Sequence, residues 1–256
     1  MKAKVGSLML VPNTLDFGVD SAPPDIRDVL PASVIREAAR LDHWVAENAK
    51  TTRAFLKRID AVVPLGRAIQ AISIVELPRP QKGVRGVAPP SDLGALLAPV
   101  FQGHDLGLIS EAGLPAVADP GAALVQSAHQ AGVPVMALPG PSSLLLALAA
   151  SGLNGQSFAF VGYLPVDSTE RSARVRELEA LSRRANQTQL MIETPYRNDA
   201  LLTALVTHLQ PGTRLSVSCG LTLPRGFTRT DSVAGWNATP SVLPADVPAV
   251  FSLLAG

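Results

Sequence analysis

A single cysteine, Cys219, stands in the 256 residues, so no internal disulfide can form. There is no second thiol, and His43, His104, His129 and His208 are dispersed without a shared ligand spacing, so no metal site is expected either. Cys219 reads as a small buried hydrophobe in a strand, and the thiol poverty fits a reducing cytoplasm. Aromatic residues make up 4 % of the chain, which leaves little stacking surface for a nucleobase or a macrocycle. Trp44 and Trp236 are read as core or subunit-contact residues. Charge of one sign is lacking too: 22 basic and 21 acidic residues leave a formal net charge of +1. That excludes a global electrostatic footprint for nucleic acid and leaves only local RNA contact. Long apolar runs are missing, since residues 144–150 are far too few to span a bilayer and residues 8–11 too few for the core of a signal peptide. No membrane association is expected. After the first expected strand, Asn13-Thr14-Leu15-Asp16-Phe17 carries none of the closely spaced glycines that let phosphates approach a backbone, which argues against a nucleotide polyphosphate ligand.

What is present is an apolar share of 47 % with 17 % charged residues, the balance of a globule large enough for one big or two modest domains. Hydrophobic periodicity predicts strands over 5–11, 43–47, 71–77, 105–110 and 133–138. They alternate with helices over 32–41, 51–59 and 91–100 and with a helix that Asp119 would cap and Pro120 open. Strand, helix and strand in close succession require a crossover, so parallel pairing is expected. Past residue 139 the pattern changes. A helix over 142–150, a strand over 158–163, a helix over 169–184, a strand over 189–193 and a helix through Leu201, Leu202, Leu205 and Leu209 lead to three closing strands. Those strands, over 214–221, 227–233 and 247–254, have no helix expected between the last two, which favours antiparallel pairs. The expectation is two α/β domains: residues 1–139 with a mostly parallel sheet and flanking helices, and residues 140–256 with a mixed sheet. Residues 78–90 hold four prolines with Arg79, Lys82 and Arg85, and read as a surface connector or a substrate-facing lid. Arg171, Arg174, Arg176, Arg183 and Arg184, interleaved with Glu170, Glu177 and Glu179, read as a solvated helix face, with RNA contact as the alternative.

Two stiff turns carry the chemistry. Glu111-Ala112-Gly113-Leu114-Pro115-Ala116 and Pro139-Gly140-Pro141-Ser142-Ser143 follow successive expected strands, at the sheet edge where open α/β folds hold ligands. Gly113 and Gly140 admit a ligand to the backbone, and the prolines hold the turns in shape before binding. Such turns offer amides and carbonyls, which suits a zwitterionic, partly apolar small molecule. A purely structural role is the alternative reading.

The run from Ile109 through Ser110-Glu111-Ala112-Gly113-Leu114-Pro115 to Ala118-Asp119-Pro120-Gly121 resembles the Ser-Asp-Ala-Gly-x-Pro-x-x-x-Asp-Pro-Gly signature of the tetrapyrrole methylase family. Further blocks are similar to the branch of that family that methylates a cytidine 2′-hydroxyl of small-subunit ribosomal RNA. They are Leu138 to Ser143, Phe160-Val161-Gly162-Tyr163-Leu164-Pro165, Glu193-Thr194-Pro195-Tyr196-Arg197 and Gly220-Leu221-Thr222. The resemblance implies two α/β domains with S-adenosylmethionine in the cleft between them, in a homodimer. It assigns cofactor contacts to Glu111, Ala112, Gly113, Leu114, Pro115, Ala116, Pro139, Gly140, Pro141, Ser142, Ser143, Glu193, Thr194, Pro195, Gly220, Leu221 and Thr222. Arg79, Lys82 and Arg85 are candidate substrate contacts. Methyl transfer needs no metal, and Glu193 or Glu111 could act as a base; Glu193 as structural partner of Arg197 is the competing reading.

The amino-terminal part departs from that branch. Pro12-Asn13-Thr14-Leu15 replaces Pro-Ile-Gly-Asn-Leu, and Ala46-Glu47-Asn48-Ala49-Lys50-Thr51-Thr52-Arg53 replaces Ala-Glu-Asp-Thr-Arg-x-Thr-Arg. The cofactor is therefore better supported than the acceptor. The expected activity is an S-adenosylmethionine-dependent methyltransferase acting on ribosomal RNA. A small-molecule or tetrapyrrole methylase, and an inactive cofactor-binding module, are the alternatives.

Overall fold

The computed structural model describes residues 5–16, 24–78 and 93–256. Its contacts divide the chain into two units that part between Pro141 and Ser142.

The first unit runs β1 (Leu8–Leu10), α1 (Ala32–Arg40), β2 (His43–Ala46), α2 (Ala49–Asp60), β3 (Ser73–Glu76), α3 (Leu93–Leu96), α4 (Ala98–Phe101), β4 (Leu106–Ile109), α5 (Ala122–Gln130) and β5 (Val135–Ala137). Its five strands are all parallel, in the order β3-β2-β4-β1-β5. Both faces of the sheet are covered, as parallel sheets require. Met9, Trp44 and Ile109 pack with α1 and α2 through Val34, Ile35, Ala38, Phe55, Leu56 and Ile59. Leu8, Val45, Leu106 and Leu108 pack with Leu93, Leu97, Val100, Leu124 and Ala128.

The second unit runs α6 (Ser143–Ser151), β6 (Phe158–Phe160), α7 (Ser168–Ala185), β7 (Thr188–Glu193), α8 (Asn198–His208), β8 (Arg214–Cys219), β9 (Phe227–Ser232), α9 (Val233–Ala238) and β10 (Ala249–Leu254). Its sheet is mixed, ordered β6-β7-β10-β8-β9, with only the β6–β7 pair parallel. Alternation along the strands gives each face a partner. Met191, Val217 and Phe251 bury against Val175, Leu178, Leu201, Leu205 and Trp236, whereas Leu190 and Val250 bury against Leu144, Ala147 and Leu148 of α6.

Three expectations are corrected. Residues 93–101 form two short helices around Leu97 instead of one, because Pro99 has no N–H to continue the ladder; residues 91 and 92, where the helix was expected to begin, lie outside the described residues. Helix α5 is entered through Gly121 at φ 127°, with no side-chain cap, so Asp119 is not its cap. Helix α9 intervenes between β9 and β10, capped by Ser232, which accepts from the Gly235 N–H; its six residues are too few to show a helical period.

Candidate functional site

In the first sheet the crossover from β1 to β2 runs one way and that from β4 to β5 the other, so the chain reverses direction between β1 and β4. Loops beyond the carboxyl ends of strands at such a reversal are where open α/β sheets bind ligands. Three loops meet there: residues 11–16 after β1, 110–121 after β4 and 138–141 after β5.

They interlock through backbone and small polar groups. Asn13 and Gly113 form an isolated antiparallel bridge, with the Asn13 N–H donating to the Gly113 carbonyl at 2.9 Å. The Asn13 side-chain amide donates to the carbonyls of Ser110 (3.2 Å) and Glu111 (2.9 Å). Pro12 lies so close to Gly140 that a Cβ there would stand 2.2 Å from the Pro12 Cβ. From the other side the Glu47 carboxylate accepts the Glu111 N–H at 3.0 Å, and Asn48 caps α2 by accepting from the Lys50 (2.9 Å) and Thr51 (3.4 Å) N–H groups. Asn48 thus does what an aspartate does at an N-cap, and the amide costs the helix little. Arg58, also on α2, donates to Thr14 and Asp16 and closes the frame.

The loop after β4 is strained. Ala116 (φ 66°) and Ala118 (φ 64°) sit in left-handed backbone, which costs an L-residue about 1–2 kcal/mol. Bonds from the Ala116 N–H to the Pro120 carbonyl and from the Val117 N–H to the Leu114 carbonyl, both 3.3 Å, hold them there. Among the described residues only Asn186 and Thr222 share that conformation without being glycine. Asn186 ends α7, while Thr222 (φ 72°) follows Gly220 in the second unit's own candidate loop. Strain at positions other than caps is therefore confined to the segments singled out from sequence, as expected of ligand-holding loops.

Asp119, read from sequence as a cap, is instead a half-buried carboxyl beside Ser110. Burial, then the neighbouring Glu47 and Glu111 charges, push its pKa from 3.8 up to about 6 against the lowering hydrogen bond from Ser110. No sequence signal short of the fold brings Glu47 to it. Glu111 itself is exposed.

In the second unit Glu193 ends β7 and Cys219 ends β8, and both register with Ala249 of the intervening β10. The Glu193-Thr194-Pro195 and Gly220-Leu221-Thr222 segments consequently leave the same sheet edge. Glu193 is buried; one oxygen accepts from the Thr194 N–H at 2.8 Å and the other lies 3.0 Å from the Arg197 guanidinium. That is the ion-pair arrangement. Burial, with a smaller contribution from Asp199, pushes the Cys219 thiol up to about 12, which removes it as a nucleophile. Ser142 stands at the start of α6, where its side chain makes no capping bond, and Ser143 is the helix's first residue. Of the α7 arginines, Arg171 bonds the Val166 carbonyl, Arg174 pairs with Glu177, Arg176 meets His208 and Arg183 bonds the Gly256 carbonyl. His43 and His104, far apart in sequence, meet with ring centroids 4.8 Å apart and planes tilted by 49°. Among the described residues no group of three or more potential ligands could hold a metal, and no helix is long and apolar enough to cross a membrane. Arg79, Lys82 and Arg85 lie outside the described residues.

A model of the Tetrapyrrole (Corrin/Porphyrin) Methylases matches residues 30–231. The chain belongs to this family. It is 34 % identical to the ribosomal RNA small subunit methyltransferase I of Mycobacterium bovis over 181 residues, 71 % of this chain and 57 % of that protein. With the protein of the same name from Halalkalibacterium halodurans it shares 31 % over 163 residues, 64 % of this chain and 50 % of that one. The match thus spans about half the length of these relatives. The crystal structure of the methyltransferase CobJ shares the fold at a TM-score of 0.55 and 16 % identity, covering 98 % of this chain and 95 % of that one.

Proposed function

We propose that this methylase transfers a methyl group from S-adenosylmethionine to small-subunit ribosomal RNA, at a cytidine 2′-hydroxyl. The observation that carries the reading is the coincidence of family signature and built geometry: the 110–121 loop that bears the signature is the strained, cross-braced loop at the reversal of the first sheet. The residues fit the cofactor. Gly113 and Gly140 leave backbone open to it, and the carboxylates of Glu47, Glu111 and Asp119 gather negative charge where a sulfonium would be favoured. When bound, the cofactor supplies a methyl group on a positively charged sulfur.

Cofactor contacts are assigned to residues 111–116 and 139–141 of the first unit and to Ser142, Ser143, Glu193, Thr194, Pro195, Gly220, Leu221 and Thr222 of the second. Their task is to align the acceptor and exclude water, because charge disappears in the displacement. Asp119, with a pKa near the working pH, is the carboxyl suited to take the acceptor's proton. Glu193 is held by Thr194 and Arg197 and serves the loop. Arg79, Lys82 and Arg85 are assigned to the phosphate-bearing acceptor. The family resemblance supports a homodimer, and the relatives' names support a cytoplasmic setting.

Calorimetric titration with S-adenosylmethionine, followed by labelled methyl transfer to small ribosomal subunits from cells lacking the modification, tests the proposal. Saturable binding with label in the RNA is expected. Label in a tetrapyrrole alone would move the assignment to a small-molecule methylase, and binding with no methyl release to any acceptor would leave a cofactor-binding module. Absence of binding would sink all three.

A further inference from the structure

The segment after β1, Pro12-Asn13-Thr14-Leu15, is one residue shorter than the family pattern Pro-Ile-Gly-Asn-Leu and lacks its glycine, and it carries Asn13 directly after Pro12. This side chain is 6 % exposed and makes hydrogen bonds in three directions. Its Nδ2 donates to the Ser110 and Glu111 carbonyls, and its Oδ1 accepts from the Thr14 N–H at 2.9 Å. The orientation is unambiguous, since the flipped amide would set an oxygen against two carbonyl oxygens. The Asn13 main chain adds the bridge to Gly113, and the Gly113 N–H returns to the Thr14 carbonyl at 3.4 Å. One residue therefore holds three carbonyls of the 110–113 backbone, those of Ser110, Glu111 and Gly113, from a loop almost a hundred residues earlier. On the opposite side the Glu47 carboxylate accepts the Glu111 N–H.

We propose that Asn13 is a positioning residue, whose side-chain amide sets the 110–113 backbone in the conformation that receives the cofactor. The proposal rests on the cofactor assignment above. With Asn13 in place, the Ser110 and Glu111 carbonyls are committed to the protein, so the loop keeps one shape before and after binding. Preorganisation of this kind favours affinity by removing an ordering cost.

The test uses the full chain, S-adenosylhomocysteine as probe, and the variants Asn13→Asp, Asn13→Ala and Ala38→Gly, the last a destabilising control buried in α1. Asn13→Asp keeps the acceptor for Thr14 but turns a carboxylate toward two carbonyls. Backbone hydrogen exchange over 110–114 is expected to quicken at least about tenfold in both Asn13 variants, and the dissociation constant of the probe to rise about tenfold. The Asn13→Asp defect should shrink relative to the wild type as the pH is lowered from about 8 to about 5, because burial against two carbonyl oxygens raises the new carboxyl above its ordinary range and its protonated form regains one donor. Asn13→Ala should show no such rescue. Ala38→Gly should lower the melting temperature yet leave local exchange and affinity within about twofold of the wild type. Unchanged exchange in the Asn13 variants, or a control that reproduces their loss, overturns the proposal. If the wild-type chain takes up no probe, the cofactor assignment falls and the exchange measurement alone decides whether Asn13 positions the loop.

Discussion

Replacing Asp119 by asparagine should stabilise the protein at neutral pH and leave it unchanged in acid. Burial and the neighbouring carboxylates raise this carboxyl from 3.8 to about 6 on folding. Between those values the folded chain binds more proton than the unfolded one, so stability falls as the pH rises through that window. Below about pH 4 both states are protonated and there is no penalty; above about pH 6 the penalty is complete. At about 1.4 kcal/mol per pH unit the rise corresponds to about 3 kcal/mol. Asp119 is only half-buried, so solvent screening reduces this to about 1–2 kcal/mol. Asparagine removes the charge while keeping an oxygen beside Ser110. For units of this size the gain corresponds to about 3 to 6 °C in melting temperature.

Thermal melts of the wild type and Asp119→Asn from about pH 4 to about pH 8 measure it directly. The difference should open between pH 4 and 6 and then level off. If Asp119 were a helix cap, asparagine would substitute for it with no pH-dependent gain, so a flat difference would refute the carboxylate-cluster account. A loss of stability at pH 8 would refute it more strongly. The same variant should lose at least about tenfold in turnover if Asp119 takes the acceptor's proton, giving a protein that is more stable and less active.

Ala118→Gly relieves a left-handed residue and should raise stability by about 0.5–1 kcal/mol in denaturant titration, with cofactor affinity reduced because the loop gains freedom. Gly140→Ala would drive a methyl group into the Pro12 ring, with Cβ and Cγ at 2.2 and 2.4 Å; a loss of about 2–3 kcal/mol is expected by the same measurement. Asn48→Ala should cost about 1 kcal/mol through loss of the α2 cap, and Asn48→Asp should restore the wild-type midpoint near neutral pH. Native Cys219 should resist thiol reagents at about pH 8 for as long as the fold persists, and react at once in denaturant.

Local signals made both sheets legible. The parallel first sheet follows from apolar runs separated by crossover helices, and the mixed second sheet from strands too closely spaced for crossovers; helices α1, α2, α6, α7 and α8 were each marked by their local pattern. What stayed hidden depended on contacts of long sequence separation. Asp119 and Pro120 had the local form of a helix start, yet Gly121 at φ 127° intervenes before α5 begins at Ala122, and Asp119 lies beside Ser110 instead. Asn48 looked like a lost carboxylate when set beside the family pattern. Its structural duty at the α2 cap requires only an acceptor, which the amide supplies. Asn13 stands in a segment that lacks the pattern's glycine, and its partners, 97 and 98 residues away, are backbone carbonyls that no residue pattern can announce. A signature records which side chains related proteins share, whereas these two amides act on main-chain atoms present whatever the side chain. The departures at Asn13 and Asn48 are therefore accounted for by the frame around the 110–121 loop, and those two carry no argument against methyl transfer. The choice of acceptor must then be written elsewhere, in side chains that face the substrate and not in those that brace the loop.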